Sequence, residues 1–206
     1  MKSKKIALIV LLAALIIGCK QEVIVELPLT MHVGYGPFSA GMSGMSLVQK
    51  DENSPWKKTY PEISKFPEGL TDMKYGFIET NLYQSVYQNY FSGNITKEWY
   101  ENLQKSWNWT PDTLNLTKTP LKTKIAFAFG KDAEGVLKIV VDVNNNLDLS
   151  DDKLFNPLDN MTVYYSENRD SLRQAHLVDV SFETFVHNKI VSVTVPVYIN
   201  YFSQFG

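Results

Sequence analysis

The chain has 206 residues, 20 of them basic and 22 acidic, with a formal net charge of −2 at neutral pH. That balance excludes a nucleic-acid partner, whose binding rests on clustered Lys and Arg against phosphates. A content of 44% hydrophobic and 13% aromatic residues excludes a disordered chain, and a single cysteine excludes any internal disulfide.

Lys2, Lys4 and Lys5 open the chain, and residues 6–17 form an unbroken apolar run, IALIVLLAALII. Crossing a bilayer takes about 20 apolar residues, so a basic start followed by this shorter run reads as a secretory signal. Ile16-Ile17-Gly18-Cys19 resembles the lipobox of bacterial lipoproteins. That resemblance implies a signal peptide over residues 1–18, cleavage before Cys19, and lipidation of the Cys19 thiol. Several acyl chains hold a protein on a membrane, because each buried methylene contributes about 0.8 kcal/mol and one chain alone is marginal. The alternative is an ordinary signal peptide with a chance cysteine. Cleavage removes three basic residues and no acidic ones, which takes the net charge from −2 to −5. With Cys19 lipidated, no thiol remains for redox chemistry or metal binding. Lys20 in place of Asp, by analogy with lipoprotein sorting in enteric bacteria, disfavours retention in the inner membrane. Lys20-Gln21-Glu22 resembles the polar-acidic export tag of Bacteroidota surface lipoproteins. The expected address is the cell envelope, on the outer membrane at its periplasmic or surface face, with the membrane as partner through Cys19.

Residues 19–30 read as a tether and residues 31–206 as one β-rich domain. Residues 34–46, GYGPFSAGMSGMS, predict a loop or irregular strand. Residues 51–69 contain Pro55, Pro61 and Pro67 and predict an extended surface segment. Residues 78–109 form the helical part. Leu82, Val86 and Tyr90 recur every four residues as one apolar face, Ser92-Gly93-Asn94 interrupts, and Thr96 caps a second helix with Trp99, Tyr100 and Leu103 on one side. From residue 121 the pattern turns to strands: LKTKIAFAF, the turn GKDAEG and the return VLKIVVDV, then MTVYY, HLVDVSFETFV and KIVSVTVPVYINYF. His187-Asn188 marks a hairpin tip, and Pro196, which lacks an N–H to donate, predicts an edge strand or a bulge. The expected fold class is α+β, mainly an antiparallel β-sheet or sandwich with a small two-helix insertion at about residues 78–109.

Residues 142–152, DVNNNLDLSDD, follow directly on an apolar strand. Oxygen side chains recur at Asp142, Asn144, Asn146, Asp148 and Ser150. Calcium takes six to eight oxygen ligands, and a tight loop with alternating oxygens can wrap one ion. The spacing resembles the start of calcium loops of the EF-hand and dockerin type, which implies calcium as a cofactor held by Asp142, Asn144, Asn146, Asp148 and Asp152. The loop departs from that pattern at Leu147, where Gly usually makes the sharp turn, and at Lys153, where Glu closes an EF-hand, so Asp151 or Asp152 must take the closing role. The competing reading is an Asx-rich turn whose side chains bond their own backbone.

No other constellation nominates chemistry. His32, His176 and His187 lack partners at zinc spacing, no G-x-S-x-G is present, and Gly34-Tyr35-Gly36 completes neither a dinucleotide nor a phosphate fingerprint. No catalytic residue is therefore nominated, and a non-enzymatic role is expected. Trp107 and Trp109, two apart, share a side if the segment is extended and could stack on a sugar, which adds a glycan or an envelope protein as a candidate partner. The alternative is that these aromatics fill the interface between helices and sheet.

The stretch from KYGFIETNLYQSVYQNYFSGNI through WNWTPDTLNLTKTPLKTKIAFAFGKDAEGVLKIVVDVNNNLDLSDDKLF resembles the N-terminal region of uncharacterised Bacteroidota lipoproteins, some with a following thioredoxin-like thiol–disulfide oxidoreductase domain. A redox domain needs a Cys-x-x-C pair with a tuned thiolate, and this sequence has none. Two functions follow as expectations: a non-catalytic binding or accessory lipoprotein with a calcium-stabilised loop, or the N-terminal portion of a redox enzyme that lacks its catalytic domain.

Overall fold

The central element is an antiparallel sheet with both faces covered. The computed structural model describes residues 45–48 and 51–202. The signal, the tether, Cys19 and His32 lie outside them. The order is β1 (Met45–Leu47), β2 (Thr71–Glu79), α1 (Leu82–Phe91), α2 (Lys97–Ser106), β3 (Lys124–Lys131), β4 (Leu137–Val141), β5 (Leu158–Asp159), α3 (Asn160–Tyr165), α4 (Arg169–Ala175), β6 (Leu177–Val186), β7 (Lys189–Tyr198) and β8 (Asn200–Tyr201). The α+β class holds. Strands β1-β2-β3-β4 form a meander, β6 and β7 a hairpin, and β5 and β8 a short parallel pair.

Strand side chains alternate between faces, and here the alternation feeds two cores. Ile125, Phe127, Ile139 and Val141 pack with Val180 and Val195 of the hairpin and with Ile199. On the opposite face Phe77, Ala126, Ala128 and Val140 pack with Leu149, and Tyr60, Ile63 and Phe66 cover them. The small residues of KIAFAF therefore face a second core rather than water. Residues 51–69 lie largely at the surface, as expected, but are not extended throughout. They turn through a short 3₁₀ segment, Lys57–Thr59, and press aromatic rings inward, with Tyr60 stacked on Phe77 at 5.6 Å and Phe66 edge-on to Tyr75 at 5.1 Å.

Strand β2 is a correction, because its last two residues begin what reads as the helical part. Its residues 71–74 are exposed and only Gly76 and Phe77 are buried, so it shows no regular alternation of apolar and polar residues to mark it as a strand. Gly76 sits where a Cβ would come within 2.0 Å of the Ser46 carbonyl oxygen, so only glycine lets β1 pair there.

The second helix starts where expected, after Thr96, while the first starts at Leu82, four residues past the expected start of the helical part. Asn81 accepts from the Gln84 N–H and Thr96 from the Trp99 N–H, each satisfying an orphan donor of the first turn. Both end in left-handed caps of the Schellman type. Gly93 has φ +74 and Asn94 donates to the Asn89 carbonyl, while Asn108 has φ +48 and Trp109 donates to the Gln104 carbonyl. The buried face of α1 differs from the Leu82-Val86-Tyr90 line: Leu82 is exposed, and Gln84 and Ser85 are buried beside Val86. Gln84 exchanges two hydrogen bonds with Thr117, and Gln88 exchanges two with Leu121. Their amides imitate a strand backbone, which is why polar side chains face inward. MTVYY is likewise a helix, α3, not a strand. Asp159 caps it by accepting from Met161 and Thr162, and helix α4 follows.

Candidate functional site

The loop of residues 142–152 leaves β4 at the end of the sheet. Its first carboxylate, Asp142, is fully buried. Two backbone donors hold it: Asn146 N–H to Oδ1 and Leu147 N–H to Oδ2, both at 2.9 Å. Bonds from N–H groups are what let a carboxylate stay charged out of water. The turn then repeats every second residue. Asn144 Oδ1 accepts from Asn146 N–H at 3.0 Å, Asn146 Oδ1 from Asp148 N–H at 2.8 Å, and Asp148 Oδ1 from Ser150 N–H at 3.0 Å and Ser150 Oγ at 2.5 Å. These are Asx turns, so the self-bonded turn expected as the competing reading is present. A carboxylate oxygen has two lone pairs, so the bonds described leave acceptor capacity at each of these groups.

Leu147 takes φ +64, the left-handed conformation that glycine provides in calcium loops, so the departure noted in the sequence does not change the path of the chain. Asn145 also lies there, at φ +54. Asn tolerates that region better than a β-branched or long apolar residue does.

Asp152 closes the loop. Its Oδ1 accepts the Val143 N–H at 3.3 Å, while Oδ2 is shut from solvent without a hydrogen-bond partner among the described residues. Burial, with the neighbouring charges of Asp142, Asp151 and Asp148, pushes its carboxyl up to about 6 against the opposing Val143 hydrogen bond. Asp148 moves the other way. Hydrogen bonds from Ser150, then the Lys65 ammonium, hold it below the usual carboxylate range, with Lys65 Nζ 3.1 Å from Oδ2. Asn146 Nδ2 donates to Asp151 Oδ2 at 2.9 Å.

Asp142, Asn144, Asn146, Asp148 and Asp152 lie in one loop, in which Asp152 Oδ1 meets the Val143 N–H and Asp151 Oδ2 meets the Asn146 amide. All are hard oxygen donors suited to calcium. Among the described residues, no three His, Cys, Asp or Glu side chains converge as a metal-holding group. Calcium shells also draw on amide and backbone carbonyl oxygens, and Asn144 and Asn146 carry oxygens of the first kind.

Partners that the sequence does not signal come from far along the chain. Residues 64–65 bracket the turn, with Ser64 N–H donating to the Leu147 carbonyl at 2.7 Å and Leu149 N–H to the Lys65 carbonyl at 3.0 Å. Lys122 Nζ donates to the Asn145 carbonyl at 2.9 Å. The buried Asn145 donates in turn to the Ser181 carbonyl at 3.1 Å.

Elsewhere, His176 Nδ1 lies 2.7 Å from the Leu172 carbonyl oxygen and His187 is exposed at the hairpin tip. Trp107 and Trp109 are not in an extended segment but in the cap of α2. They are half-buried against the helical core, with ring planes tilted 44° to each other. Comparison of the chain with protein-family models, with curated proteins and with solved structures found no match.

Proposed function

We propose that this chain is a lipid-anchored cell-envelope module, a non-catalytic binding or accessory protein whose loop at residues 142–152 is stabilised by calcium. Asp142, Asn144, Asn146, Asp148 and Asp152 supply the ligand oxygens. The observation that carries the calcium reading is Asp152 Oδ2, buried near three other carboxylates and without a partner among the described residues. A buried charge left unpaired is costly, and a divalent cation removes that cost. Asp142, Asp148, Asp151 and Asp152 outnumber the one ammonium paired with them among the described residues, that of Lys65.

Thermal unfolding of the detergent-solubilised chain in calcium and in EDTA tests it. A native-state ligand at a hundred times its Kd stabilises by about 2.7 kcal/mol, which raises Tm by roughly 5–10 °C for a chain of this size. Magnesium, which demands octahedral geometry and holds its waters, should do less. An unchanged Tm would leave the loop as a self-bonded turn. The anchor rests on Ile16-Ile17-Gly18-Cys19. Cys19→Ala should move the protein from the detergent phase to the aqueous phase in a two-phase partition and leave its melting unaltered. A variant that partitions like the wild type would sink the anchor.

A further inference from the structure

We draw no further inference here: the strongest candidate, the apolar cavity of about 270 Å³ on the four-stranded sheet between Met45, Phe129, Leu137, Ile139 and Tyr201, has nothing in the structure to show what covers it.

Discussion

Asp142 and Asp152 sit ten residues apart in one loop and solve opposite problems. Asp142 is buried deeper but meets two N–H donors, whereas Asp152 meets one and leaves an oxygen without a partner among the described residues. Deleting the charge at Asp152 should therefore help the metal-free protein and harm the calcium-bound one. Asp152→Asn keeps the size of the side chain and its acceptor for Val143. In EDTA its Tm should equal or exceed that of the wild type, while the rise on adding calcium should fall to less than half. A drop in EDTA equivalent to more than about 1 kcal/mol, the net worth of an ordinary hydrogen bond, would mean that the carboxylate is satisfied by the protein alone. The alternating oxygens were legible because Asp and Asn side chains reach only two or three residues along the chain. Lys65 was not legible, because its approach to Asp148 depends on a segment more than eighty residues earlier folding under the sheet.

Among the secondary elements, the loop works as a fastener between the sheet and the hairpin. Ser181 N–H donates to the Val143 carbonyl, Glu183 N–H to the Lys122 carbonyl, and Asn145 Nδ2 to the Ser181 carbonyl. Strand β7, by contrast, pairs only with β6 among the described residues, as Pro196 suggested. Asn145→Ala removes a buried amide, leaves the Ser181 carbonyl without that donor, and places a less tolerant residue at φ +54. About 1–3 kcal/mol for the orphaned polar group and about 1 kcal/mol for the backbone make a loss of roughly 2–4 kcal/mol. Hydrogen exchange should quicken in β6 and β7 well before α1 and α2; a uniform rise across all elements would refute the fastening role. Local chemistry made some of these elements readable in sequence: the cap at Thr96, the Gly93 stop, and the His187-Asn188 tip, whose residues both take positive φ. Periodicity misled wherever tertiary contacts reversed it. Leu82 faces water because the inward positions of α1 are taken by glutamines that bind the extended chain, and MTVYY is helical because Asp159 caps it despite its β-branched and aromatic content.

For the molecule as a whole, Asp112, Asp132, Asp148 and Asp152 have displaced titrations that divide the acid range into two windows. Asp112, Asp132 and Asp148 are held low, the first by Asn115, the second by the Val136 N–H and the third by Ser150. Their folded forms bind protons less readily than the unfolded chain, so the stability they contribute is present above the ordinary value of 3.8 and is lost as pH falls through their lower folded values. Asp152 is displaced upward, from 3.8 to about 6, so between those values the folded state holds the extra proton. Its contribution is therefore full below pH 3.8 and is lost as pH rises toward 6. Without calcium, stability attributable to Asp152 should fall over that window, and Asp152→Asn should flatten the fall while leaving the loss at lower pH in place. Calcium in excess should abolish the fall in the wild type, since a bound cation favours the ionised carboxylate and shifts its titration down. Tm measured from pH 3 to 8 in EDTA, in calcium and for the variant checks this directly. A wild-type profile in EDTA that tracks the variant through the window would show that the Asp152 carboxyl titrates like a solvated one, and with it the argument for a cation at the closing position would fail.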